Sequence, residues 1–342
     1  MLVEHAPDAV GDTPSPAVAR LLSRVEAEAD ALEAQAVELR KRAERLADKA
    51  RHLRARCSLE GLSVGDAFGE QFFGRAEGGI SHIEARQLPS PPWPYTDDTE
   101  MALSIVSSLW HAGMIDQDQL AVSFAERYNP SRGYGPSMHR LLSALRDGAP
   151  WQEMAQNQFA GQGSFGNGAA MRVPPLGAFF AEELDLVVEQ AVFSAQVTHT
   201  HPEAIAGSIA VAVAAAWAWK LGQSGALPSR AEFLDLVLPS VPTSEVRRKL
   251  RWARDLATMT PVESAAAVLG NGIGLSAQDP VPFVLWCAGE QLTSYEEALW
   301  LTVRGEGDRD TTCAMVGGIV ALYTGVEGIP SAWIQAREPL PI

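Results

Sequence analysis

An all-α fold follows from three features of this 342-residue chain. Apolar runs at Met101 to Leu109, Leu120 to Ala125, Leu186 to Ala195, Ile205 to Trp219 and Cys313 to Leu322 read as helices. Strand-type patterning is scarce. Glycine and proline gather at joins around residues 86–94, 129–136, 161–177 and 222–228, none of which separates two compositions. The helices beyond residue 57 are therefore expected to share one core, giving a compact multi-helix domain over residues 58–342.

Residues 1–14 carry Pro, Gly and Asp without periodicity and read as a mobile tail. A long helix is expected over residues 15–57. Ser15 followed by Pro16 fits an N-cap with proline in the first turn, and neither Pro nor Gly recurs until Gly61. Val25, Leu32, Leu39, Leu46 and Leu53 recur every seven residues, with Ala29, Ala36, Ala43, Ala50 and Cys57 four positions after each. This heptad stripe fits a helix packed against one partner, and its small second position permits close approach. The expected partner is the chain's own surface: residues 17–57 hold ten basic and seven acidic groups, able to dock on an otherwise acidic body. A monomer follows, with a dimer through this helix as the alternative.

Hydrophobic residues at 46% and charged residues at 20% suit a folded globular chain. The net charge of −15 repels phosphate backbones and anionic membranes, which argues against nucleic acid and membrane partners. The stretch Ile205 to Trp219 is shorter than the ~20 residues that cross a bilayer and reads as a buried helix. No signal peptide is legible at the N-terminus, and Cys57, Cys287 and Cys313 are odd in number and far apart. Free thiols and a cytoplasmic location are expected.

Two acidic motifs carry the chemistry. Thr96, Asp97, Asp98 and Thr99 precede one apolar helical run, and Asp308, Asp310, Thr311 and Thr312 precede another more than 200 residues later. Helix capping accounts for either motif alone, yet a cap needs only one such residue. If the motifs converge, their carboxylates repel one another unless a cation compensates them. Hard oxygen donors without a His or Cys cluster favour Mg²⁺ or Mn²⁺ over Zn²⁺, and four carboxylates suffice for two ions.

A third motif, Gly161 to Gly177, alternates glycine with polar and aromatic residues. Its backbone N–H groups can cradle phosphate oxygens, with Ser164 and Asn167 adding directional bonds and Phe165 a stacking face. A structural hairpin or Ω-loop is the alternative. It is neither a Walker loop nor a Rossmann fingerprint. In THTHP at 198–202, His199 and His201 are spaced so that one imidazole enters a pocket while the other caps the following helix. Arg127, Tyr128, Arg132 and Tyr134 are further candidates for the cavity wall, or tethers of their own loop.

In order and separation, GLSVGDAFG at 61–69, YTDDTE at 95–100, GSFGNGAAMR at 163–172, THTHP and GDRDTT at 307–312 resemble the ADP-ribosylglycohydrolase family over about residues 58–335. That family includes the dinitrogenase-reductase-activating glycohydrolases. The resemblance implies an all-α enzyme with two Mg²⁺ or Mn²⁺ ions that hydrolyses the bond between ADP-ribose and a protein or small-molecule acceptor. It implies Thr96, Asp97, Asp98, Asp308, Asp310 and Thr311 as metal ligands, with Asp97, Asp98 or Asp310 activating the attacking water. It also implies Gly163, Ser164, Phe165, Gly166, Asn167 and Gly168 as the substrate loop, His199 as a cavity residue, and Asp66 as an acidic residue near the first core helix.

Departures from the family pattern are informative. Where relatives carry a glutamate near the metals or ribose, seven residues beyond Asp66, this chain has Phe73. Glu70 is expected to point elsewhere. Arg309 replaces a small residue between the last two aspartates and is a candidate contact for acceptor or phosphate, while Glu306 stands where glycine is common. Loss of the glutamate leaves a second reading open, an ADP-ribose or nucleotide-binding protein with weak or lost hydrolysis.

Overall fold

The computed structural model describes residues 15–73 and 79–341, and the side chains of 79–81 are not described. The expected tail over residues 1–14 lies outside the described residues. Among those described, helices alternate with short joins and no strand forms, apart from isolated bridges between Trp93 and Arg337 and between Gly166 and Ser276. The chain divides at Ala50 into two compact units.

The first unit is helical from Pro16 onward, with the Ser15 hydroxyl accepting a bond from the Val18 N–H at 3.4 Å. Its heptad residues Val25, Leu32, Leu39 and Leu46 are exposed.

The expected helix end at Cys57 is corrected: the helix Pro16–Glu70 continues past three glycines. Glycine in a helix interior costs about 0.5–1 kcal/mol relative to alanine, so something must favour it here. The reason is close packing within the second unit. A Cβ on Gly61 would lie 2.4 Å from the Gly317 carbonyl oxygen, one on Gly65 2.1 Å from that of Cys313, and one on Gly69 2.2 Å from that of Arg309. Residues 61–69 thus lie directly against the helix Arg309–Thr324. Phe68 locks this segment from another side, stacking on Trp333 at 4.6 Å and meeting Trp300 edge-on at 5.0 Å. Farther back, buried Arg54 donates to the Ala178 and Phe179 carbonyls and to both oxygens of Glu182 at 2.7 Å.

At the core lies the helix Pro202–Ser224, touched by Pro174–Phe179, Leu184–Gln196 and Arg309–Thr324. Its apolar residues face all directions, the pattern of a helix surrounded by protein. It is long and apolar enough to cross a membrane by composition, yet 78% of that apolar window is buried inside the protein. The buried alanines between Ala206 and Ala218 leave room for neighbouring helices to approach.

Candidate metal centre and substrate cleft

The helix Asp97–Ala112 begins at Thr96, whose side chain makes no capping bond. Asp66, arriving from the segment 61–69, supplies the cap instead. It accepts the Thr96 N–H at 3.0 Å, the Thr99 N–H at 3.1 Å, and the hydroxyls of Thr96 and Thr99 at 2.8 and 2.5 Å. At this helix end the outside carboxylate thus satisfies the Thr99 N–H, and the Arg132 carbonyl takes that of Asp97 at 2.8 Å. Asp97 and Asp98 are left for other work. The helix Arg309–Thr324 begins similarly: Asp308 is the N-cap residue but its side chain makes no capping bond. That side chain instead accepts from the Asn167 amide at 2.7 Å. Glu306 and Gly307, with φ of 61° and 69°, form the left-handed turn that leads into it. Asp310 Oδ1 accepts the first-turn Thr311 N–H at 2.8 Å, so capping accounts for neither aspartate of the first motif and not for Asp308 in the second.

The two motifs meet. Carboxylate oxygens of Asp66, Asp98 and Asp310 all lie within 4.8 Å of one another. Thr96 reaches Asp98 at 2.9 Å and Thr311 reaches it at 3.4 Å, each through its hydroxyl. Burial, followed by the charge of neighbouring carboxylates, raises Asp97 and Asp98 well above the usual carboxylate range, and the same holds for Asp310. Burial also lifts Asp66 to about 6 against the opposing pull of its four hydrogen bonds. The second oxygen of the Asp98 carboxylate, Oδ1, is buried with no hydrogen-bond donor.

A buried acceptor without a donor costs about 1–3 kcal/mol, and more when charged. Here it belongs to a cluster of mutually repelling carboxylates, and the other Asp98 oxygen has only threonine hydroxyls as donors. Hard oxygen donors around an unsatisfied anionic oxygen fit Mg²⁺ or Mn²⁺. Asp98 and Asp310 are the residues best placed to hold an ion, whereas the bonds Asp66 already accepts make it a positioning residue. Asp97, Asp308, Asp310 and Thr311 line a cleft of about 540 Å³ above them. That volume suits a small-molecule ligand.

Ser164, Phe165, Gly166, Asn167 and Gly168 also line the cleft, with His199. Gly163, at φ 75°, lies outside the lining and turns the chain against Thr200. Gly166 and Gly168 lie so close to the His199 ring that a Cβ on either would come within 3.2 and 3.0 Å of it. The expectation of free N–H donors is corrected at two positions. The Gly166 N–H donates to the Ser164 hydroxyl at 3.2 Å, and that of Asn167 to the Leu275 carbonyl at 3.1 Å. The segment 275–277, invisible to local sequence reading, holds the loop by accepting the Asn167 N–H and returning the Ala277 N–H to the Phe165 carbonyl at 2.8 Å.

The two histidines divide as their spacing implies. His199 is buried and exchanges a 2.7 Å bond with Thr198 through Nδ1, while His201 accepts the Glu203 N–H at 3.1 Å as a helix cap. Burial, then the nearby Arg172 cation, pushes His199 down to about 3, so its ring is neutral near pH 7.

Several candidates lie elsewhere. Arg309 lines a neighbouring cavity of about 480 Å³, its guanidinium donating to the Val303 and Phe72 carbonyls at 3.3 and 3.5 Å. Arg132 pairs with Glu338 and covers the Tyr95 ring, and the Tyr134 hydroxyl donates to Glu100 at 2.8 Å. Tyr128 bonds His139, while Arg127 lines a cavity with Glu126 and Gln119. From this loop, Gly133 and Gly135 line the cleft instead. Phe73 is 39% exposed beyond the helix end. Glu70, one turn after Asp66, is half-buried and does not line the cleft; burial, then the Asp66 charge, raises its carboxyl.

The family model for ADP-ribosylglycohydrolase matches residues 47–339. Among similar chains, an uncharacterized protein of Archaeoglobus fulgidus is 34% identical, the alignment covering 81% of this chain and 89% of that one. ADP-ribosylhydrolase ARH3 of Homo sapiens is 30% identical, with 83% and 89% covered. A solved structure described as an ADP-ribosylglycohydrolase-related protein complex superposes with a TM-score of 0.57 at 26% identity, covering 84% of this chain and 93% of its own. The arrangement of helices and acidic motifs agrees with these matches, and the chain belongs to the ADP-ribosylglycohydrolase family.

Proposed function

We propose that the chain hydrolyses the glycosidic bond between ADP-ribose and a protein or small-molecule acceptor, using two Mg²⁺ or Mn²⁺ ions. The observation that carries this reading is the meeting of the Asp66, Asp98 and Asp310 carboxylates, with Asp98 Oδ1 buried and without a donor. Its relative ARH3, by name an ADP-ribosylhydrolase, supports the substrate class. When bound, divalent ions would neutralise the carboxylates, orient ribose hydroxyls and stabilise charge as the glycosidic bond lengthens.

The chain's own residues contribute four things. Asp98 and Asp310, with Asp97, Asp308, Thr96 and Thr311 around them, supply the oxygen donors. Asp66 holds the first acidic segment in place through its four hydrogen bonds. Neutral His199 and the glycines against it form a flat wall without adding positive charge, and Phe165 offers a face to a base. Asp97 and Asp310, on the cleft surface with affinity for protons raised by burial, are suited to accept a proton from water attacking the anomeric carbon.

Phe73 favours a second reading, ADP-ribose binding without rapid turnover, because it stands where an acidic group occurs in relatives. A panel of ADP-ribosylated substrates, incubated with Mg²⁺, Mn²⁺ or chelator and read by mass spectrometry, separates the two. Metal-dependent release of ADP-ribose is expected. Tight ADP-ribose binding without release across the panel would favour the second reading, and absence of both would end the first.

A further inference from the structure

We propose that residues 25–50 pair with the same segment of a second copy of this chain as an antiparallel coiled coil. Val25, Leu32, Leu39 and Leu46 are 56%, 66%, 58% and 59% exposed, so each large seam residue is more than half uncovered within its own helix. They repeat every seven residues, as do Leu22, Ala29, Ala36, Ala43 and Ala50. A straight α-helix drifts by ~20° per heptad, so a strict seven-residue repeat marks a seam that follows a supercoiled partner. Residues 25–50 span about 38 Å at 1.5 Å per residue, nearly four heptads.

Side-chain size selects the direction. In a parallel, in-register pair, equivalent positions meet, so alanine layers alternate with leucine layers and the seam is by turns too wide and too narrow. Reversing one helix sets a small residue against a large one in every layer between positions 25 and 50, with Leu22 opposite Leu53 beyond that stretch. Val25 then faces Ala50 of the second copy, Ala29 faces Leu46, Leu32 faces Ala43 and Ala36 faces Leu39, and the two-fold axis repeats each pairing. The seam becomes uniform, and small residues throughout let the helices approach closely while keeping close packing.

Charge selects the same arrangement independently. The residues flanking the seam are Glu26, Glu28 and Glu33 in the first half and Arg40, Arg42 and Lys49 in the second. Antiparallel pairing at this register brings Glu33 beside Arg40 and Glu28 beside Lys49 of the second copy, each twice. Parallel pairing would set Glu28 against Glu33 twice, like charge against like, and create no compensating ion pair. Flanking charges of this kind govern partner choice and orientation in coiled coils. The strip is thus complementary to its own reversed copy in both volume and charge. It is independent of the proposed hydrolysis.

Light scattering on the full chain should give twice the 36.7 kDa chain mass at micromolar concentration. A Leu32→Glu, Leu39→Glu double variant should give the single-chain mass while keeping the melting temperature of the second unit. For direction, Val25→Cys and Ala50→Cys chains are made in a Cys57→Ser background and treated with a short bis-maleimide. The mixture should cross-link, and Val25→Cys alone should not, because the two copies of position 25 lie about 37 Å apart along an antiparallel pair. Single-chain mass for the parent at all concentrations would overturn the proposal. So would a dimer that survives the double variant, since its interface lies elsewhere, or cross-linking of Val25→Cys alone, which requires parallel helices.

Discussion

Gly65→Ala tests whether close helix packing sets the geometry of the acidic cluster. The added Cβ would stand 2.1 Å from the Cys313 carbonyl oxygen and 2.8 Å from its carbon, both backbone atoms that no rotamer change can move. An ordinary C–H···O contact needs ~3.3 Å, so the two segments must separate by about 1.2 Å. Overpacking of this kind costs typically ~1–3 kcal/mol, which lowers the melting temperature of a domain this size by roughly 2–12 °C. Without the contact, the same substitution would stabilise by about 0.4–1 kcal/mol through the unfolded chain, so the sign of the change is diagnostic. Asp66 is the next residue and moves with its helix, whereas Mg²⁺ demands near-ideal ligand distances of about 2.0–2.1 Å. Divalent-ion affinity should therefore fall by about 10–100-fold, the usual effect of disturbing the groups behind metal ligands. Circular dichroism melts in chelator measure the packing, and titration calorimetry with Mg²⁺ and Mn²⁺ measures the site. A melting temperature at or above the parent's, with unchanged affinity, would refute this reasoning.

Asp98→Asn should abolish or severely weaken Mg²⁺ binding while leaving the metal-free protein at least as heat-stable as the parent, because it removes one of several repelling buried charges; calorimetry and melting curves check the two halves. The metal-free fold should lose stability as pH rises. Asp66, Asp97, Asp98 and Asp310 hold protons more tightly folded than unfolded, so their contribution is full below the ordinary range near pH 4 and, for Asp66, is lost up to about 6. Because ions compete with those protons, the melting-temperature gain on adding Mg²⁺ should be larger at pH 8 than at pH 5, and an equal or reversed gain would contradict the cluster's electrostatics. Arg309→Thr should lower the melting temperature by releasing the Phe72 and Val303 carbonyls, while leaving turnover ratios among acceptors unchanged in an activity panel.

Local chemistry made much of this site legible. The TDDT and DRDTT motifs each showed more carboxylates than a cap needs, and THTHP followed by a helix assigned one imidazole to capping through Pro202. What the sequence could not reveal was which carboxylate caps which helix. Asp66 stands among small and apolar residues, and only its meeting with Thr96 and Thr99, some thirty positions on, turns it into the residue that frees the other two. The helix end was misread for a related reason: Gly61, Gly65 and Gly69 are breakers by propensity, but contact with residues 309–321 makes glycine the only side chain that fits. The partner of the Asn167 N–H is equally non-local, since Leu275 lies more than a hundred residues away.

The wide separation of positions 66, 98 and 310 has a consequence for synthesis. A ribosome releases the first two acidic residues long before the third, so no growing chain has a complete cleft until Asp310 has been made. A product terminated near residue 300 retains most of the helices but strands Asp66 and Asp98 without their counterpart. Such fragments should be inert and poorly rescued by added ions, which makes completion of translation itself a condition for the site to exist.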